Sequence, residues 1–359
     1  MNKCRFRVAL VCLLALAVFS LILAGGLGGC EKKKAGFWGG DEDGDQTTDG
    51  NGDQDTTEAT GPSGIAFIRD DYIYLANEDG SGERKVTPEA AGYDCLAFSP
   101  SGSMLAATKV EGDAYPQLII IDVESGEVTD VSWTNPDYSA AWTEAGIDPW
   151  FGEICWAGED VLYCTATNTS AGMIPQVVKC DASARRIEVI EKNAQNPAIS
   201  PDGKKLAYIR QPPDWWDPQG GWGYRDPGIL VVRDLASGNT ETISVNRDGY
   251  DRGYIFDAAF SPDGEHMVAT CFDEPDTELY YTDLEGNIDY VLDAVGPAGI
   301  IMHPSFSPTG DKVVFHIRYM EEPDQPYDYT IFIAPVSGQN MPDVSELSKG
   351  MDPTWSPSP

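Results

Sequence analysis

With 359 residues, 42% of them hydrophobic and 10% aromatic, the chain can bury a large core, and its 37 glycines and 25 prolines favour many tight turns over long helices. Asp and Glu number 58 against 24 Lys and Arg, a formal charge of −34. That balance argues against a nucleic-acid partner, which needs basic groups to neutralise phosphates, and suits an extracytoplasmic protein, a cation or a basic partner.

Lys3, Arg5 and Arg7 precede an apolar run from Val8 to Ala24, and Leu27-Gly28-Gly29-Cys30 follows. Charge, apolar run and small residues in that order read as a secretory signal over residues 1–29. The run is slightly short of the ~20 residues a membrane span needs. The stretch ending at Cys30 resembles the bacterial lipobox. That resemblance implies diacylglycerol on the Cys30 thiol, cleavage before it and acylation, palmitate included, at the new N-terminus. Several chains give a stable anchor to the cell membrane or outer membrane, where one is marginal. Lys32, Lys33 and Lys34 are placed to touch anionic headgroups. The remainder of residues 30–63 is polar and acidic and is expected to be a disordered tether. Within it, the run from Asp49 to Asp55 is faintly similar to a calcium loop but lacks that loop's sixth-position Gly and twelfth-position Glu.

From residue 64 onward one phrase recurs: Ala97-Phe-Ser-Pro-Ser-Gly102, Ala198-Ile-Ser-Pro-Asp-Gly203, Ala259-Phe-Ser-Pro-Asp-Gly264, Ser305-Phe-Ser-Pro-Thr-Gly310 and Thr354-Trp-Ser-Pro-Ser-Pro359, with a degenerate copy at Cys155-Trp-Ala-Gly-Glu-Asp160. Ser, Pro and Gly stand where a type I turn wants them, with an apolar strand on either side. Each phrase is therefore a hairpin between strands a and b. A third strand follows, such as Leu118 to Val123 or Ile229 to Leu235, then a second turn and a more polar fourth strand. Four antiparallel strands repeating every ~40–60 residues make a propeller blade. Residues 64–88 supply strands b, c and d without an a, and Asp352 to Pro357 supply an a with nothing after it. Together they complete a sixth blade and close the ring.

The expected fold is all-β: a six-bladed propeller over residues 64–359, closed by the C-terminal strand joining the N-terminal blade. The repeat resembles the TolB-like propellers, with WD40-like blades built on Trp/Phe-Ser-Pro-Asp-Gly turns. The resemblance covers the propeller alone. The separate N-terminal domain of TolB is absent from this sequence, so its partners do not carry over.

The short Ser-Pro turns leave one face of the ring plain, and the long b–c and d–a connections share the other. That second face carries Tyr138, Trp142 and Trp150 between blades 2 and 3, and Trp215, Trp216, Trp222 and Tyr224 in blade 4. It also carries Tyr250 between blades 4 and 5, and Tyr327 with Glu321, Glu322 and Asp324 in blade 6. Aromatics beside carboxylates suit a protein, peptide or glycan ligand of a monomeric binding module. For any one Trp, packing the loop onto the propeller is the simpler role.

Aligning the a strands sets Cys95, Glu153, Asn196, Asp257, His303 and Asp352 three residues before the Phe/Trp/Ile of each phrase, around the channel mouth on the long-loop face. Glu153, Asn196, Asp257, His303 and Asp352 form a donor set for Ca²⁺ or another divalent cation. The competing expectation is that they cap strand starts and bond to neighbouring blades. No nucleophile elbow, His-Glu-x-x-His, Cys-x-x-Cys or P-loop is present. The enzyme alternative is a metal-dependent lyase or hydrolase on envelope polysaccharide, built on His303 and its acidic ring. Two disulfides are weighed in blade 3, Cys164–Cys180 or Cys155–Cys164, against free buried thiols.

Overall fold

The computed structural model describes residues 64–111, 116–132, 135–145, 149–168, 174–211, 216–217, 221–222, 228–244, 246–247, 250–251, 254–273, 276–293, 299–319, 328–336 and 344–357. Residues 1–63, with the expected signal segment, Cys30 and the expected tether, lie outside them.

Blade 1 opens with β1 (Ile65–Arg69), β2 (Tyr72–Ala76) and β3 (Arg84–Lys85). Blade 2 holds β4 (Gly92–Phe98), β5 (Met104–Val110), β6 (Gln117–Asp122) and β7 (Val128–Asp130). Blade 3 holds β8 (Pro149–Gly158), β9 (Val161–Asn168), β10 (Ile174–Asp181) and β11 (Arg186–Lys192). In blade 4, β12 (Ala194–Ile199) and β13 (Lys205–Arg210) are followed by a small hairpin, β14 (Trp216–Asp217) with β15 (Gly221–Trp222), before β16 (Ile229–Asp234) and β17 (Thr240–Ile243). A second small hairpin, β18 (Asn246–Arg247) with β19 (Tyr250–Asp251), leads to blade 5: β20 (Tyr254–Phe260), β21 (His266–Asp273), β22 (Asp276–Asp283) and β23 (Ile288–Asp293). Blade 6 is β24 (Gly299–Phe306), β25 (Lys312–Tyr319), β26 (Asp328–Pro335) and β27 (Ser345–Lys349). The last strand, β28 (Met351–Trp355), joins the first blade, giving the order β28-β1-β2-β3. Six four-stranded antiparallel sheets result, and the C-terminal strand closes the ring.

The core is distributed between the blades. Ile65 and Phe67 of β1 pack toward blade 6 with Val314 and Ile331, while Ala66 and Ile68 pack toward blade 2 with Leu105 and Ile119. Side chains alternate across a strand, so a strand sandwiched between two neighbouring blades is apolar on both faces. The remaining seams repeat the arrangement, for instance Tyr208 and Val231 against Tyr163 and Val177 between blades 3 and 4.

The Ser-Pro turns form as their chemistry requires. Gly102, Gly203, Gly264 and Gly310 donate N–H to the carbonyls of Ser99, Ser200, Ser261 and Ser307 at 2.8–2.9 Å. All four glycines take positive φ, between 69° and 76°, where a side chain would be strained. The serine hydroxyls accept from Met104, Lys205, His266 and Lys312 N–H at 2.9–3.1 Å. The c–d turns use another repeated device: Asp122, Asp181, Asp234 and Asp283 each accept a turn N–H at 2.7–2.9 Å.

Two expectations are corrected here. The connection between blades 2 and 3 is largely a helix, Pro136–Ala145. Asn135 caps it by accepting Asp137 N–H at 3.0 Å, and Pro136 occupies the first turn. Tyr138 and Trp142, four apart, share its buried face. Trp142 is fully buried, packs edge-on to Phe151 at 5.0 Å and donates its indole N–H to Val131 O at 3.3 Å. It is a core residue and offers no surface to a ligand. The blade 3 disulfides are also absent, because Cys155, Cys164 and Cys180 are all free. No cysteine faces another in register: Cys164 lies opposite Ile154 and Val178, Cys180 opposite Leu162, and Cys155 opposite Tyr163. Among the described residues, no helix is long and apolar enough to cross a membrane.

Candidate functional site

The six inner strands share one irregularity. Each slips register against its neighbour, between Asp94 and Ala97, Phe151 and Ile154, Gln195 and Ala198, Ile255 and Asp257, and Met302 and Ser305, and in blade 1 opposite Ala66 and Ile68; β8 slips a second time between Trp156 and Gly158. A bulge of this kind re-aims the side chain it carries. The ring residues sit in these bulges. Cys95, Asn196, His303 and Asp352 adopt φ of 58°, 54°, 52° and 51°, a region that bulky residues occupy only when their surroundings enforce it.

What enforces it is a chain of hydrogen bonds from blade to blade. The Asp352 carboxylate (blade 1) accepts Cys95 N–H (blade 2) at 3.0 Å. Thr165 Oγ1 (blade 3) accepts Asn196 N–H (blade 4) at 2.9 Å. The Asn196 side-chain amide donates to Phe256 O (blade 5). The Asp257 carboxylate accepts His303 N–H (blade 6) at 3.0 Å, and His316 Nδ1 accepts Asp352 N–H at 3.0 Å, which completes the circuit. Between blades 2 and 3 the link is the Trp156 indole N–H donating to Ala97 O at 3.0 Å.

This geometry answers the metal expectation. Glu153, Asn196, Asp257, His303 and Asp352 do surround the axis, but among the described residues no group of three or more His, Cys, Asp or Glu is placed to hold a metal ion. Their polar atoms serve neighbouring blades. Asp257 accepts both His303 N–H and its own neighbour Ala258 N–H, and Glu153 accepts the Thr165 hydroxyl at 3.3 Å.

Electrostatically the ring is most tightly coupled where blade 1 meets blades 2 and 6. Asp352 Oδ1 lies 3.4 Å from His303 Nε2 and 3.7 Å from His316 Nδ1, and the two imidazoles stack at 5.3 Å. Burial, then the charge of Asp352 and a hydrogen bond with it, push the Asp94 carboxyl well above the usual range. Burial would raise Asp352 too, but His303, the Asp94 hydrogen bond and His316 hold it well below. The two carboxyls are thus pushed apart, Asp94 toward its neutral form and Asp352 toward its charged one. Burial opposes charging of His303, yet Asp352, Asp257 and Glu153 outweigh it and raise its pKa. Burial keeps His316 neutral, down to about 3, as its acceptor role requires, and lifts Asp257 to about 6. The Cys95 thiol is pushed well up by burial and then by Asp94, so it is no nucleophile.

A cavity of about 730 Å³ runs from the ring to the Ser-Pro turns. Glu153, Asp257, His303 and Cys95 form its polar end, and Phe98, Trp156, Phe260, Phe306 and Trp355 with the turn prolines form its walls. The ring residues Cys95, Glu153, Asp257 and His303 bound this cavity at the end away from the turns. Of the expected loop aromatics, Trp216 and Trp222 lie opposite each other across the β14–β15 hairpin, and Tyr250 lies opposite Arg247 in the next one. Trp150 lies in β8, opposite Thr167. Trp215, Tyr224 and Tyr327 fall outside the described residues, as do Glu321, Glu322 and Asp324.

No family model matches the sequence, and no curated protein matches it. Solved structures do match. TolB from Acinetobacter baumannii superposes with a TM-score of 0.58 at 17% identity, over 82% of this chain and 67% of that one. A putative TolB from Agrobacterium tumefaciens gives 0.58 at 16%, over 83% and 95%. A chain of a nidogen–laminin complex gives 0.55 at 10%, over 82% and 99%. At such identities the likeness is one of fold: the molecule is a TolB-like six-bladed β-propeller.

Proposed function

We propose that this chain is an extracytoplasmic lipoprotein, anchored through Cys30, that works as a binding module and presents its long-loop face to a protein, peptide or glycan. The observation that carries the reading is where the chain spends its length. The four Ser-Pro-x-Gly turns of blades 2, 4, 5 and 6 keep the same closed geometry, while the opposite connections grow the hairpins Trp216–Asp217/Gly221–Trp222 and Asn246–Arg247/Tyr250–Asp251. Binding residues concentrate on loops that a rigid scaffold positions. The acidic and aromatic composition of these loops favours a basic or sugar-bearing ligand over an anionic one.

The test uses the full chain on a glycan array and a basic-peptide library, compared with a Trp215→Ala, Trp216→Ala, Trp222→Ala triple variant. Ligands retained by the wild type and lost by the variant support the reading, and indistinguishable profiles refute it. Palmitate labelling that persists in Cys30→Ser would refute the anchor separately.

A channel lyase or hydrolase is the weaker reading. Its acid–base groups would have to come from Glu153, Asp257 and His303 at the cavity, and two backbone amides already occupy the Asp257 carboxylate.

A further inference from the structure

In blades 2 to 6 the innermost strand is joined covalently to its neighbour by the a–b turn. In blade 1 it is not: β28 is joined to the other described strands through Gly350, at φ 141°, which follows directly on β27. A Cβ at Gly350 would stand 2.6 Å from Ile68 O, so that junction has no slack. The ladder between β28 and β1 pairs Ile65 with Trp355, Ala66 with Thr354 and Ile68 with Met351, and is the shortest of the six a–b ladders.

Beyond Trp355, the seam is fastened by Ser356 N–H to Gly64 O and Gly64 N–H to Ser356 Oγ, both at 2.9 Å. The Trp355 amide reaches Ser305 Oγ at 3.3 Å. Its indole N–H has no partner among the described residues although it is buried, whereas the equivalent Trp156 donates to Ala97 O. An unpaired buried donor weakens the closed state relative to one in which water reaches it.

Against this thin attachment stands one concentrated fastening. Asp352, the second residue of β28, donates its N–H to His316 of blade 6, accepts Cys95 N–H of blade 2 and faces the His303 imidazole. Much of the strand's polar hold on both neighbouring blades therefore passes through one residue, its backbone N–H toward blade 6 and its carboxylate toward blade 2.

We propose that β28 is a releasable strap with Asp352 as its latch, so that the ring opens at the blade 1 seam before any other and leaves the edge of β1 able to accept a strand in trans. A bare strand edge is a template for pairing. Local opening of this kind is read by hydrogen exchange, since strands that open independently exchange ahead of the global unit.

The experiment is hydrogen exchange by mass spectrometry on the full chain, comparing Ile65–Arg69 and Met351–Trp355 with Met104–Val110 and Lys205–Arg210. In the wild type the two seam strands should exchange at least tenfold faster than the other two. Asp352→Asn should speed the seam strands at least tenfold more than it speeds β5 and β13. A fluorescein-labelled peptide with the sequence of residues 350–357 should then bind Asp352→Asn more tightly than wild type. Equal exchange in all four segments of the wild type would overturn the proposal, as would acceleration of every blade alike in the variant. If Asp352→Asn does not fold, the wild-type comparison decides.

Discussion

Asparagine at each member of the Asp94–Asp352 pair should have opposite consequences. In the native ring burial and the charge of Asp352 push Asp94 toward its protonated form, while His303 holds Asp352 toward its charged one. The folded pKa of Asp94 is raised, so its contribution is present in full below its unfolded value of about 4 and is lost as pH rises toward the folded one; each unit of elevation costs about 1.4 kcal/mol near neutrality. Asp94→Asn supplies a permanent N–H donor of the same shape and needs no proton. At pH 7 it should match or exceed wild-type stability by about 1 kcal/mol or more, and the wild type's gain on acidification should shrink. Asp352→Asn removes the anion that faces His303 while the other groups stay buried, and breaking such a pair costs about 3–5 kcal/mol. At roughly 2 °C per kcal/mol for a domain of this size, that is a fall of about 6–10 °C in Tm. Calorimetric scans of both variants at pH 5, 7 and 8 decide it. If Asp94→Asn loses as much as Asp352→Asn at pH 7, the proton does not reside on Asp94 and the reasoning fails.

Other outcomes follow from the same geometry. His316 is held neutral down to about 3, so its share of stability is whole above about 6.5 and is lost as pH falls toward 3. His316→Asn keeps an acceptor near Nδ1 without a titrating proton and should flatten that acid limb in denaturant titrations. Asp257, lifted to about 6, runs the other way: its share is whole below about 4 and lost as pH rises through 6, and Asp257→Asn should abolish that drift. Trp142→Ala, which empties a fully buried site against Phe151, should cost about 3–5 kcal/mol by urea unfolding and leave ligand retention unchanged. Non-reducing mass mapping should find Cys95, Cys155, Cys164, Cys180 and Cys271 all as thiols, with Cys155 and Cys180, pushed up to about 12 by burial, slow to alkylate until the protein unfolds.

Much of the architecture was legible because it repeats. Ser, Pro and Gly at fixed spacing specify a turn whatever surrounds them, and five near-copies set the blade length and the closure by Asp352 to Pro357. The helix Pro136–Ala145 was missed although its signals were present: Asn135 as cap, Pro136 in the first turn, and Tyr138 and Trp142 one helical turn apart. In so repetitive an all-β sequence those aromatics read as loop. The ring was found by alignment, and bonding to neighbouring blades was one of the two roles expected for it. Whether a carboxylate meets a cation or a neighbour's N–H depends on a backbone bulge and on positive φ at Cys95, Asn196, His303 and Asp352, and the enrichment of Asn, Asp and His in that conformation is too weak a sequence signal to place it. Asp94 and His316, both essential to the electrostatics, lie outside the aligned column: one precedes the bulge and the other sits on the second strand.

The join between Gly64 and Ser356 also bears on how the molecule can be cut and rewired. Strand β1 starts, and β28 ends, at the turn face of blade 1, with Gly64 and Ser356 bonded to each other. A short linker across them would turn this non-covalent closure into one more hairpin of the repeated kind, and the existing turns at Ser99, Ser200, Ser261 and Ser307 would become equivalent sites for new ends. Topologically the ring has no privileged beginning. A fusion joined directly after Ser356 leaves from the turn face, on the opposite side of the ring from the long connections.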